Sequence, residues 1–237
     1  MAENARKVKG LLKARRSRIF SPITYSNSVP KLIRKYVSGK CLDIGCGEQP
    51  YRDDIEKAGA LYYSFDVERR SDNITYVGNI MNMNAVPKST YDSALCTSVL
   101  EHTKNPFVAV KEIHKVLKLN GLLIVTVPHL SRIHEAPNDF FRFTEFGLRE
   151  VLESSGFRIL EIRATGGIFS FLGHQVSTIV HLIFGSIPLL RNIALHINFF
   201  VVVLPCMFFD FVSNSALDKK KIFASGYVCV ARKLEVL

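Results

Sequence analysis

Between residues 38 and 163, short apolar runs alternate with stretches whose apolar residues recur every three or four positions. The runs "KCLDIG" (40–45), "LYYSFD" (61–66), "ITYVGN" (74–79), "YDSALCTS" (91–98) and "LLIVTVP" (122–128) predict buried strands, and "RILEIR" (158–163) and "GYVCVARK" (226–233) predict two more. The stretch "PFVAVKEIHKVLKLNG" (106–121) places Val110, Ile113, Val116 and Leu117 on one helical face, with Lys111, Glu112, Lys115 and Lys118 off it. That predicts an amphipathic helix ended by Asn120-Gly121. "YRDDIEKAG" (51–59) predicts a helix closed by Gly59, and "TEFGLREVLESSGF" (144–157) one capped by Thr144 and Gly156. Buried strands alternating with amphipathic helices imply an α/β fold, a parallel sheet covered on both faces. No internal repeat is visible.

The segment Leu42-Asp43-Ile44-Gly45-Cys46-Gly47-Glu48 carries the first chemistry. An apolar strand runs into a glycine turn, where a ligand can approach backbone that a Cβ would cover, and a following helix would offer free N–H groups. The next strand ends on Asp66, 21 residues after Gly45, placed to accept both ribose hydroxyls of a nucleoside-bearing cofactor. A dinucleotide fingerprint requires G-x-G-x-x-G, and Pro50 stands at its last position.

With these features the chain resembles the class I S-adenosylmethionine-dependent methyltransferases. "CLDIGCG" (41–47) resembles their first motif, Asp66 their ribose-binding acid, and "YDSALCTSVLEHTKNP" (91–106) and "VLKLNGLLIVTVP" (116–128) their later ones. "APNDFFRFTEFGLREVLESSGF" (136–157) is similar to a subgroup of the methyltransferase type 11 branch. The resemblance implies a Rossmann-like, doubly wound sheet of seven mostly parallel strands, the last antiparallel, and S-adenosyl-L-methionine as cofactor. It further implies that Asp43 orders the loop and approaches the methionine amino group. Gly45, Cys46 and Gly47 would bring backbone close to the cofactor, and Asp66 would hold the ribose. Val67 would lie beside the adenine, Asn79 and Ile80 would flank it, and Thr97 would line the methionine end. Two positions depart from the family pattern: Gln49 replaces the third glycine of the first motif, and Asn79 replaces a frequent acid. The Asn/Asp-Pro-Pro-Tyr motif of nucleobase amino-methyltransferases is absent at 97–100.

Methyl transfer from a sulfonium asks the protein mainly for alignment and a dry site, and for a base only if the acceptor carries a proton. Base candidates after strands four and five are His102, His129, His134 and Asp139, with Arg142 available for an anionic acceptor group. No Cys/His cluster has zinc spacing, and no metal is expected. The five cysteines read as core filler in a reducing compartment.

From Ala164 to Phe209 only Arg191 is charged, and "NFFVVVLPCMFF" (198–209) falls in an 18-residue uncharged run. That length reaches the threshold for a membrane span. His196, Asn198 and Pro205 interrupt it, so a helical hairpin in a membrane interface, an active-site lid or a dimer contact are the readings. Of the 237 residues, 31 are Lys or Arg and 21 Asp or Glu, a net charge of +10. The whole excess lies in residues 1–40, which hold eleven bases and Glu3, on an otherwise neutral body. The expected organisation is a basic arm (1–37) and a methyltransferase domain (38–237) with an apolar helical insertion (164–222). Cations plus an apolar surface favour an anionic membrane over nucleic acid as partner. The start lacks the features of a secretory signal, so a cytoplasmic protein peripheral to a membrane is expected. The acceptor would be small, or linked to a lipid or glycan. Two further readings stay open, an RNA or protein methyltransferase guided by the arm and a non-catalytic scaffold with a degenerate cofactor pocket. The sequence does not specify an oligomeric state.

Overall fold

A computed structural model of the chain describes residues 28–70, 73–184, 186, 188–213 and 222–235. Residues 1–27, which carry most of the basic arm, lie outside the described residues. The described residues divide into two compact units, one within 28–163 and 226–235, the other within 164–213 and 222–225.

The larger unit begins with α1 (Val29–Tyr36), where Pro30 sits in the first turn and Arg34 and Lys35 in the last. Pro lacks an N–H that the first turn could not use, and the cations complement the carboxyl end of the helix. Val29, Leu32 and Ile33 repeat at helical spacing and are buried with Val37, Cys41, Ile55, Leu95 and Val230. Residues 29–37, expected from the sequence as the end of the basic arm, therefore pack into the core of this unit. Their cations drew them into the arm, whereas their apolar stripe places them on the sheet.

Strands β1 (Lys40–Ile44), β2 (Leu61–Asp66), β3 (Tyr76–Val77), β4 (Tyr91–Thr97), β5 (Leu117–Pro128), β6 (Phe157–Thr165) and β7 (Gly226–Lys233) form one sheet ordered β3-β2-β1-β4-β5-β7-β6. The pairs β2–β3, β1–β2, β1–β4 and β4–β5 are parallel, and β7 runs antiparallel to β5. This is the Rossmann-like methyltransferase architecture the sequence predicted. Strand order reverses between β1 and β4, which opens a crevice at their carboxyl ends.

Helix α2 spans Arg52–Lys57. Helix α3 (Pro106–Val116) starts at Asn105, whose side chain accepts from Val108 N, and α4 (Glu145–Glu153) at Thr144, which accepts from Gly147 N. Helix α3 stops five residues before the expected Gly121, because Leu117 already pairs with Tyr91 as the start of β5. Asn120 takes a left-handed conformation (φ 64°), and the register shifts between Tyr91 and Ser93.

The smaller unit contains α5 (Ile168–Phe184) and α6 (Pro188–Asn198), which continues through a π-helical turn (Phe199–Val203) into α7 (Leu204–Ser213). Asp210, the acid that closes the uncharged run, accepts from Phe169 N (3.0 Å) and Ser170 N (2.8 Å) and so caps α5. A carboxylate at a helix N-terminus satisfies orphan donors and complements the dipole. Gly167 makes room for it, since a Cβ there would stand 2.7 Å from Asp210 Oδ1. Asp210→Ala is expected to destabilise this unit by about 1–2 kcal/mol, read as faster amide exchange in α5 while strands β1 and β4 keep their protection. Asn198 and Ser177, both buried, exchange hydrogen bonds. Ser225 N donates to Thr165 O at 2.8 Å, joining the two ends of the insertion. Among the described residues, one helix, Asn192–Asp210, is long and apolar enough to cross a membrane by length and composition.

Candidate active site

A cleft of about 510 Å³ opens at the carboxyl ends of β1, β2 and β4. Its floor is the turn after β1. Gly45 (φ 68°) and Cys46 donate their N–H groups to Phe65 O at 2.8 and 3.2 Å, and Gly47 (φ 52°) donates to Asp66 Oδ2 at 2.7 Å. Gly45 has no space for a side chain, because a Cβ would meet Val99 Cγ2 at 2.2 Å. Gly47 has open space where its Cβ would be. Gln49, standing where the family places glycine, adopts the left-handed conformation that glycine would (φ 58°), a strain of about 1–2 kcal/mol. Its side chain accepts from Arg52 NH1 and donates to Asn73 O, which holds the turn from outside. Helix α2 starts only at Arg52, so this turn, and not a helix N-terminus, forms the floor of the cleft.

Asp66 is buried and orders the turn, with Oδ2 on Gly47 N and Oδ1 on Glu68 N (3.2 Å). A carboxylate accepts about four hydrogen bonds, so lone pairs remain for two ribose hydroxyls. Asn79 Oδ1 accepts from Met81 N at 2.9 Å, which leaves its amide as a donor toward the cleft. Asp43 is buried, and its Oδ2 accepts from Tyr62 Oη at 2.9 Å while Oδ1 has no partner. Burial pushes this carboxyl up to about 7, against the pull of the Tyr62 hydroxyl and with a further push from nearby Asp66. An unpartnered buried carboxylate oxygen, a glycine turn open at Gly47 and an acid in the cleft wall together fit S-adenosylmethionine, which carries an ammonium group and a ribose.

The sign of the Asp43 shift is testable. Because the folded-state value lies above the unfolded one, Asp43 holds a proton in the folded protein between about pH 4 and 7 that the unfolded chain has lost. Its contribution to stability therefore falls as pH rises through that window. A ligand ammonium at Oδ1 favours the ionised form. S-adenosylhomocysteine affinity is thus expected to weaken as pH falls below about 7, approaching tenfold per unit. Calorimetry from pH 5.5 to 8 in which affinity stays flat would refute the contact.

The far wall holds the residues after β4 and β5. Ser98 (φ 54°) is strained, and its N–H bonds both the carbonyl and the hydroxyl of Thr126. Glu101 is 0% exposed, burial pushes its carboxyl up to about 8, and neither oxygen has a hydrogen-bond partner. His102 Nδ1 lies 2.6 Å from Asn138 O, and its ring meets that of His134 edge-on with centroids 4.8 Å apart. Phe140 N and Phe141 N donate to Glu101 O, tying the loop after β5 to the turn after β4.

Of the residues expected in the site, Gly45, Gly47, Asp66, Val67, Asn79, Ile80 and His102 line the cleft. Val67 is 61% exposed at its rim. Asp43 and Cys46 are buried at the turn, with Asp43 under it through Tyr62. At the end of β4 the lining residues are Ser98 and Val99 rather than Thr97. Three of the expected residues stand in other surroundings. Asp139 is bound through both oxygens by Arg142 (2.6 and 2.7 Å), which holds its carboxyl well below the usual range and makes it a poor base. Arg142 is spent on that pair and on the carbonyls of Ser131 and Arg132, so it organises the loop instead of meeting an anion. His129 packs beside Tyr227, half-buried and outside the cleft, with burial lowering its basicity. Sequence reasoning missed Glu101, Asn138 and Phe140. Only adjacency to His102 pointed to Glu101, and nothing local marks an acid for burial.

This geometry defines a nucleoside-cofactor site on a seven-stranded methyltransferase sheet. The methyltransferase domain family profile matches residues 5–162, and the chain belongs to this family of S-adenosylmethionine-dependent enzymes. S-adenosyl-L-methionine is its cofactor. No curated protein matches the chain. Among solved structures, the SpnF cyclase superposes with a TM-score of 0.56 at 19% identity, over 88% of this chain and 81% of that one. A SAM-dependent methyltransferase from Archaeoglobus fulgidus gives 0.55 at 14% identity, over 87% and 94%. The Burkholderia thailandensis 1,6-didemethyltoxoflavin-N1-methyltransferase, solved with S-adenosylhomocysteine, gives 0.52 at 14% identity, over 88% and 76%. At these identities the likeness establishes the fold.

Proposed function

We propose that the chain methylates a small, lipid-linked or glycan-linked acceptor at an anionic membrane surface. When bound, the cofactor supplies an electrophilic methyl group. Asp66 orients the ribose, Asp43 the ammonium, and the Gly45–Gly47 turn lets the backbone approach closely. His102 stands in the wall where an acceptor would lie. Because Nδ1 donates to Asn138 O, the lone pair sits on Nε2, which supports a role as base toward an acceptor that carries a proton.

The membrane reading rests on one observation, the apolar surface of the smaller unit. On α5, Leu172, Val176, Ile179 and Ile183 form an exposed stripe at helical spacing. In the helix Asn192–Asp210 only 17% of the most apolar window is buried, and Phe200, Val201 and Phe208 are each more than 60% exposed. Monomeric soluble proteins seldom leave apolar surface of this extent in water. The bases of the arm supply the second signal that stable membrane association needs, at about 1 kcal/mol for each one near an anionic surface. Flotation with vesicles containing anionic phospholipid tests the reading. The full chain is expected to float, and the F200E/F208E double variant to stay at the bottom with its S-adenosylhomocysteine affinity intact. If the full chain does not float, the membrane reading is wrong. If it also forms a dimer that the double variant abolishes, the apolar surface is an interface between two copies.

A further inference from the structure

We propose that Glu101, His102 and His134 form a binding site for one divalent transition-metal ion of the zinc type. One ligand atom from each residue lies within 4.8 Å of the others. Bonds of about 2.0–2.2 Å to a common ion bring ligand atoms roughly 3.3 Å apart. Side-chain rotations of about an ångström close that difference.

The buried carboxylate is the first observation. Glu101 is 0% exposed, and neither of its oxygens has a hydrogen-bond partner. Buried polar groups almost always find partners, and an unpaired buried carboxylate is among the most unfavourable arrangements. Glu101 Oε1 faces His102 Nε2 at 3.9 Å, too far for a hydrogen bond and with space for an ion to bridge them after a small shift. Asp139 and Glu135 add negative charge around Glu101, and the Arg142 charge is matched by Asp139.

The second observation is independent, and it concerns the imidazoles. Each has its Nδ1 beside a backbone carbonyl. His102 Nδ1 lies against Asn138 O, which can only accept, so the hydrogen is on Nδ1 and the lone pair on Nε2. His134 Nδ1 lies 3.2 Å from Arg132 O and 3.5 Å from Asp139 Oδ2. Arg142 NH2 approaches the same nitrogen at 3.4 Å, but its two hydrogens go to Arg132 O (2.6 Å) and Asp139 Oδ2 (2.7 Å). His134 Nδ1 therefore carries its hydrogen, and Nε2 is left as the donor to metal. A ligating histidine typically shows this arrangement, with the other nitrogen bonded to a carbonyl or carboxylate that fixes tautomer and ring angle.

Two imidazoles and one carboxylate suit zinc and its neighbours, and three protein ligands leave a coordination position open. His102 lines the cofactor cleft. On the methyltransferase reading, which this consequence alone requires, an ion at this site would take up the His102 Nε2 lone pair and replace that nitrogen's role toward the acceptor: an acceptor hydroxyl at the open position would become more acidic and lose its proton to solvent water.

The test uses the full chain, stripped with chelator and titrated with zinc against a chromophoric competitor. One ion per chain is expected. E101Q, which keeps the shape of the side chain, and H134A are each expected to weaken binding by on the order of 100-fold or more. Zinc is also expected to raise the melting temperature of the unmodified chain and not that of E101Q. S-adenosylhomocysteine titration of the same samples reports folding and the cofactor site separately. Its loss in the unmodified chain would refute the cofactor reading without touching the metal one. Substoichiometric zinc, or zinc held equally well by E101Q and H134A, overturns the metal site and leaves Glu101 and His102 as a metal-free pair.

Discussion

Asp66→Ala is expected to lower S-adenosylhomocysteine affinity by on the order of 100-fold or more. Two hydrogen bonds from ribose hydroxyls to a carboxylate contribute about 1.5–3 kcal/mol each. The substitution also removes the acceptor of Gly47 N and Glu68 N, so the turn loses its anchor along with the ligand contact. Asp66→Asn separates the two roles. It keeps an acceptor for Gly47 N while losing charge and one acceptor site, so an intermediate affinity is expected. Calorimetry on the three proteins checks the order. Unchanged affinity in Asp66→Ala would refute the ribose assignment.

Gly45→Ala is expected to combine loss of cofactor binding with a fall in melting temperature of roughly 4–16 °C, from about 2–4 kcal/mol of strain and overpacking. Backbone φ at Gly45 is 68°, and the added Cβ would stand 2.2 Å from Val99 Cγ2. Val99 lines the cleft, so relieving the clash displaces the cofactor wall. Gly47→Ala is the contrast, because its φ of 52° brings strain but its Cβ enters open space. The double variant G45A/V99A is expected to recover part of the stability. If Gly45→Ala is no less stable than Gly47→Ala, the packing account of this turn is wrong.

The parts of this site that could be read from the sequence were those fixed by local chemistry. Gly45, Gly47 and Asp66 were legible because a positive φ, close approach and an acid at a strand end each restrict the residue type at one position. Gln49 was legible only as a departure. The structure shows it in the glycine conformation with its amide holding the turn. The early start of β5 was hidden because Leu117 also fits the apolar face of α3, and only pairing with Tyr91 decides between them. Helix α1 was hidden behind its own cations. Asp139 and Glu101 show the same limit from opposite sides. One acid is paired with Arg142, and the other is buried with no hydrogen bond to its carboxylate, its backbone carbonyl held by the loop after β5. Neither outcome depends on the residues immediately beside these acids.

The insertion leaves from β6 and returns through β7, and these strands are neighbours in the sheet. The hydrogen bond from Ser225 N to Thr165 O brings the two ends of the segment together. Closing a loop between points already held adjacent depends only weakly on how many residues lie between them. The helical unit is therefore an exchangeable module. Lengthening it, shortening it to a hairpin turn, or replacing it with a segment of other polarity leaves the ladder between β5 and β7 in register. Such changes would leave Gly45, Gly47 and Asp66, which lie at the ends of other strands, untouched.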